Sequence, residues 1–212
     1  MHKAASPALI AEQPISLLMT NHMGRLLLAP RHPHAVLDPQ ALQQWLATFE
    51  LIGAMLDRDP TTGIQSFARG ARFFDWIGFT GCAVQLGETD TTAGCHLRLW
   101  PLLPTPRLVY GRNSRAPCCQ QCRKRAATSL QSLIDTPDCL VICSHCGHRA
   151  PAWNWDWRGQ AGYARIFCSI EDIFPGEVAP LPALLTQLDQ HSGIAWHWFV
   201  VQDSDTSKLL IG

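Results

Sequence analysis

Hydrophobic positions recur at helical spacing in two clear places. Leu42, Trp45, Leu46 and Phe49 share one face of residues 39–50, and Asp38-Pro39 ahead of them pairs an N-cap residue with proline at the first helical position. The spacing predicts an amphipathic helix there. Leu181, Leu184, Leu185 and Leu188 do the same in LPALLTQLDQHSG (181–193), which ends on Gly193, a suitable neighbour of a C-cap. Residues 64–79, with Phe67, Phe73, Phe74 and Ile77, read as a further helix in spite of Gly70.

Elsewhere the period shortens. CAVQL (82–86) and CHLRLW (95–100) read as strands, and the polar, glycine-containing stretch between them predicts a hairpin with Cys82 facing Cys95 as buried thiols. RLVYG (107–111) follows as a third strand. APAWNWDWR (150–158) alternates strictly, which puts Trp153, Trp155 and Trp157 on one sheet face. YARIFCSIEDI (163–173) is rich in β-formers. IAWHWFVVQ (194–202) is apolar on both faces, the pattern of a central, covered strand. The expected fold class is α+β: mixed α/β domains with an inserted hairpin in the middle. The expected organisation is an N-terminal α+β region (1–112), a small cysteine-rich segment (113–150), and a C-terminal β-α-β unit (151–212) sharing a core with the N-terminal region. The first dozen residues read as a loose lead-in and SDTSKLLIG as a tail.

Six of nine cysteines fall between Cys118 and Cys146. Cys119-Gln-Gln-Cys122, a twenty-residue spacer and Cys143-Ser-His-Cys146-Gly147 give C-x2-C-x20-C-x2-C. Two residues between cysteines let the chain turn so that both thiolates approach one ion at about 2.3 Å. Gly147 suits the positive φ that such a turn requires. Over residues 115–150 this resembles the zinc-ribbon fold group, whose members hold Zn²⁺ between two such turns; the resemblance says nothing of the rest of the chain. The expected ligands are Cys119, Cys122, Cys143 and Cys146, which alone satisfy both two-residue spacings. Replacement of one of them by Cys118, Cys139, His145 or His148 stays open. Cys139, in CLVIC, fits an inward position on the strand leading to the second turn. Four thiolates fill a tetrahedral shell, so the expected zinc is structural.

Charge adds a second feature. The chain has no net charge, but residues 91–131 carry Arg98, Arg107, Arg112, Arg115, Arg123, Lys124 and Arg125 with no acidic residue. Residues 168–212 set Lys208 against six acids, a net −5. Arg112, Arg115, Arg123, Lys124 and Arg125 are therefore candidate contacts for an anion or a nucleic acid. The tryptophans read as a packed sheet face ahead of a stacking platform. No H-x-E precedes Pro117-Cys118, which removes the zinc-deaminase pattern, and G-x-S-x-G, P-loop, G-x-G-x-x-G and H-E-x-x-H motifs are absent. His32 with His34, and Glu171, Asp172 and Glu177, are the remaining places for chemistry, the acids reading as a solvated edge. His197, in its apolar strand, reads as a core histidine with one nitrogen satisfied.

The N-terminus makes a poor secretory signal and no run is long enough to span a bilayer, so the expected compartment is the cytoplasm. The leading functional expectation is a non-enzymatic zinc-binding protein acting as a protein-binding adaptor, which neutralises or escorts a dedicated partner. The alternatives are a nucleic-acid-binding protein using the basic run 107–125, and an enzyme with its site outside the cysteine segment.

Overall fold

The computed structural model describes residues 24–80, 91–92, 94–134 and 136–202. The expected lead-in, the strand over 82–86, Cys82 and the C-terminal tail lie outside these residues. The main element is a six-stranded sheet in which every neighbouring pair is antiparallel. Its members are β1 (Gly24–Pro30), β2 (Ile52–Arg58), β3 (Gln65–Arg69), β5 (Leu97–Leu99), β10 (Cys168–Ile173) and β12 (Trp196–Gln202), in the order β12-β1-β10-β5-β3-β2. With the helices α1 (Pro39–Thr48), α2 (Phe73–Trp76) and α3 (Pro182–Ser192), the chain is mostly sheet and of the α+β class. Among the described residues no helix is long and apolar enough to cross a membrane.

Alternation along β1 sets the layers. Leu26 and Leu28 face one side, where Leu42 and Leu46 of α1 and Leu184 and Leu188 of α3 cover them. Each such leucine, fully buried, contributes about 1.5–3 kcal/mol. Leu27 and Ala29 face the other side, where Phe167, Phe199 and Val201 meet a two-stranded ribbon of β6 (Arg107–Tyr110) and β9 (Ala161–Ala164). The ribbon alternates too. Val109 and Ala164 point into the sheet, while Leu108 and Tyr163 point outward into a separate cluster with Cys119, Cys143, Trp155 and Trp157. Gly162 is glycine because an added Cβ would stand 2.5 Å from the Phe199 ring. The cysteine segment thus rests on a ribbon that is itself packed on the sheet.

Both capped helices form as expected. Asp38 accepts a hydrogen bond from the Gln40 amide, and Gly193 takes φ +67° at the end of α3. Residues 64–79 are different: β3 and β4 (Ile77–Phe79) flank only one turn of helix at 73–76. Ser66, Phe67 and Ala68 are all buried in the sheet, so of the expected helical face only Phe73 and Phe74 are in a helical turn, while Phe67 belongs to β3 and Ile77 to β4. Gly70 passes so close to Glu50 that a Cβ would lie 2.0 Å from its carbonyl oxygen.

β12 is also not central but an edge strand. Its free edge is covered by a loop: Arg112 donates to Gln202 O, the Asn113 amide group bridges Val200 O and Gln202 N, and Val200 N donates to Gly159 O. That cover explains its apolar composition. The tryptophan stripe is not a strand. β8 (Arg149–Pro151) ends at a proline, which has no amide for the ladder, and Ala152–Asn154 turn as a 3-10 helix.

Candidate metal centre

The two cysteine pairs sit on turns with the same hydrogen bonds. In the first, Cys119 N donates to Lys124 O and Arg123 N to Cys119 O; in the second, Cys143 N donates to His148 O and Gly147 N to Cys143 O. The second turn grows from the hairpin of β7 (Leu140–Ile142) and β8. The position after each pair has positive φ, +73° at Gly147 and +63° at Arg123. Glycine takes that conformation freely; arginine does not. The spacer between the pairs carries a 3-10 turn at Gln131–Leu133.

These turns bring four sulfurs together. Cys119 Sγ is 3.6 Å from Cys146 Sγ, Cys122 Sγ is 3.5 Å from Cys143 Sγ, and all four lie within 4.8 Å of one another. Disulfide sulfurs would be about 2.05 Å apart. Sulfurs bound tetrahedrally at about 2.3 Å from one ion stand about 3.8 Å apart, so the cluster could hold a metal ion. Its electrostatics agree. The amides of His145 and then Cys146 draw the Cys143 thiol down to about 7, against the cost of burial. At Cys146 the His148 amide pulls down, but burial and the three other sulfurs together push the thiol up to about 12. Four thiols in contact resist joint ionisation, and a bound cation removes that resistance.

The neighbours left open by the sequence fall outside the cluster. Cys118 is buried and bridges to Arg125 and Asp156, with Arg158 Nη1 3.9 Å from its sulfur. Cys139 is exposed rather than inward, because the strand starts only at Leu140 and Asp138 turns away to meet His34. His145 is exposed, and His148 lies 6.3 Å from the Trp155 ring. Trp155 and Trp157 pack in the cluster and donate their indole N–H to Ala150 O and Ala152 O.

Of the candidate basic residues, Arg115, Arg123, Lys124 and Arg125 line one groove of about 500 Å³ beside the first turn. Arg158 joins them and was not anticipated; its strict alternation with the tryptophans hid it at a turn with φ +57°. Arg112 is exposed but does not line the groove; its carbonyl accepts from Arg115. Only Arg123 of the groove cations pairs with a carboxylate among the described residues, reaching Asp156 at 3.0 Å.

The other places for chemistry divide. His34 Nε2 meets Asp138 at 2.8 Å and ties the β1–α1 loop to the cysteine segment, while His32 lies 5.2 Å from the ring of Trp153 in the 3-10 turn that follows it. Glu171 is not solvated but buried, paired with Arg25 at 3.3 Å. Asp172 is half-buried at φ +55°, its carboxyl raised by burial. His197 has no partner for its buried Nε2. Burial, then Arg31, lowers its pKa from 6.5 to about 4.

The lowered histidine has a measurable consequence. Between pH 6.5 and about 4 the unfolded chain protonates this histidine and the folded chain does not, so stability falls as pH drops and levels off below that window. The shift corresponds to at most about 3 kcal/mol. Urea unfolding of wild type and His197→Phe across this range should show the wild type losing more by about that amount. Parallel losses would remove His197 as the cause.

The fold and the four-sulfur centre define an α+β protein with a candidate metal site. No family model matches the chain, and searches of curated proteins and of solved structures also return no match.

Proposed function

We propose that the chain is a non-enzymatic binding module built around a structural Zn²⁺, held by Cys119, Cys122, Cys143 and Cys146 in a zinc-ribbon arrangement. Soft thiolate ligands in a tetrahedral set favour zinc, and four of them leave no position for water or substrate. The ion's work is then to fix the first turn, and with it the cations that follow Cys122. The partner this favours is polyanionic. The observation that carries the reading is the groove itself: Arg115, Lys124, Arg125 and Arg158 converge there without a carboxylate partner among the described residues. Like charges gathered at such a site are relieved by an anionic ligand. An adaptor acting on an acidic protein surface belongs to this class, and so does a nucleic-acid binder.

Arg123 supports the assignment. Its counterpart in the otherwise equal second turn is Gly147, so arginine holds a conformation that costs about 1–2 kcal/mol for an L-residue. The exposed ion pair with Asp156 returns about 0–1 kcal/mol. Its position on the groove is the remaining reason for a cation there. Arg123→Gly should therefore keep the bound metal and leave the thermal midpoint unchanged or slightly raised, while lowering the salt concentration that elutes the protein from immobilised heparin. The chain has zero net charge, so retention requires a local patch. Wild-type protein passing through heparin unretained at low salt would end the polyanion reading.

A further inference from the structure

The groove does not stand alone. Arg123, Trp157 and Arg158 line both it and a neighbouring cleft of about 460 Å³. The cleft is walled by Trp153, Tyr163, His197 and Trp198, with Arg31 at its side. Its volume lies within the ordinary range for a small organic ligand. Cations on one side of a shared wall and aromatic rings on the other make an arrangement that a purely electrostatic contact would not need.

The tryptophans around this cleft are of two kinds. Trp155 and Trp157 are buried and spend their indole N–H groups on backbone carbonyls, so they hold the fold. Trp198 is 37% exposed on the edge strand, and Trp153 is half-buried. Neither of these two has a hydrogen bond to its indole N–H among the described residues. An exposed tryptophan on a strand whose other residues are so well covered is an unspent apolar face and an unspent donor.

We infer that the polyanion is a single-stranded nucleic acid, whose phosphates lie along Arg115, Lys124, Arg125 and Arg158 and whose unpaired bases enter the aromatic cleft against Trp198 and Trp153. This rests on the reading of the groove as a polyanion site. Base faces stack on aromatic rings whatever the sequence, and a backbone track of cations beside such a platform is how single strands are held. A duplex hides its base faces within the stack and reaches only the cations. An acidic peptide would satisfy the same cations but offers no flat surface to the exposed Trp198 and the half-buried Trp153.

Fluorescence anisotropy tests this on the full metal-loaded chain. The probes are labelled oligo-dT and oligo-U of about twelve nucleotides, a duplex of equal length, and an oligo-glutamate peptide, with heparin as the generic polyanion. One or both single strands should bind more tightly than duplex and peptide, and quench tryptophan emission. Trp198→Ala should weaken single-strand binding about 5- to 150-fold with the salt dependence unchanged. Arg158→Gln should weaken it and reduce the slope of log K against log salt by about one. Metal content and thermal midpoint are measured on both variants to show that each is folded. Equal or tighter binding of the duplex or the peptide would overturn the inference, as would an unaltered affinity in Trp198→Ala. Heparin binding without oligonucleotide binding would overturn it and leave the polyanion reading standing. Failure of every probe would remove both.

Discussion

Removing the proposed metal, by a strong chelator or by Cys143→Ser, should unfold the cysteine segment and expose Trp155 and Trp157 to water. The expected signal is a red shift of tryptophan emission with loss of the bound ion, which should be one Zn²⁺ per chain by elemental analysis. The size follows from what holds the segment. Its cluster includes Cys119 and Cys143 themselves; Val141, Ala150 and Ala152 beside the second turn are small, and most of the apolar bulk comes from Leu108, Trp155, Trp157 and Tyr163. A structural zinc contributes on the order of 10 kcal/mol to a site of this kind, comparable with the whole stability of a domain. The ribbon of β6 and β9 shares Leu108 and Tyr163 with that cluster, so damage should spread to the sheet's covered face and lower the global midpoint. Because thiolates bind only when deprotonated, metal release should grow as pH falls. The same experiment separates the ligands from their neighbours. Serine at 119, 122, 143 or 146 should lose metal, whereas Cys118→Ser and Cys139→Ser should keep it. Unchanged emission and melting in metal-free protein would show that the four sulfurs are not a structural site.

What the sequence made legible follows from where its constraints were local. A C-x2-C pair is closed by bonds within six residues, so its spacing alone implies the turn. The caps of α1 and α3 are equally local: Asp38 bonds two residues on, and Gly193 is needed for its own φ. Strand placement depended on partners far away in sequence. β1 has only the short apolar run over 26–29 before Pro30 to mark it, because its partners β10 and β12 lie at the other end of the chain. β12 read as central since its edge is capped by Asn113 and Gly159, a cover invisible to periodicity. The alternating tryptophans failed as a strand at Pro151, where a local rule did exist and the pattern outweighed it. The basic run identified most of the groove, yet Arg158 reaches it only because the chain reverses at φ +57° and +64° over Arg158 and Gly159.

Replacing Glu171 by alanine should cost about 3–5 kcal/mol, the largest loss expected from a single side chain outside the metal centre. Glu171 is 5% exposed on β10 and sits at the centre of a polar chain on the sheet's back face. Its Oε2 is 3.3 Å from Arg25 Nε, its Oε1 accepts from Ser169 Oγ at 2.5 Å, and Ser169 Oγ accepts from Trp100 Nε1 at 3.1 Å. Arg25 Nη1 already lacks a partner, so Glu171 is what offsets the desolvation of that guanidinium. Alanine would leave the arginine charge half-buried and uncompensated and free the Ser169 hydroxyl to no acceptor. For a chain of this length the loss corresponds to a fall in thermal midpoint of roughly 6–20 °C. The paired variant Arg25→Met with Glu171→Leu removes both charges and should recover most of the stability, since a buried ion pair contributes little over well-packed apolar side chains. A double-mutant cycle by urea unfolding reads this directly: strong coupling between positions 25 and 171, with the pair more stable than Glu171→Ala alone. If Glu171→Ala melts with the wild type, the carboxylate is not balancing Arg25, and the buried polar chain owes its place to something other than charge.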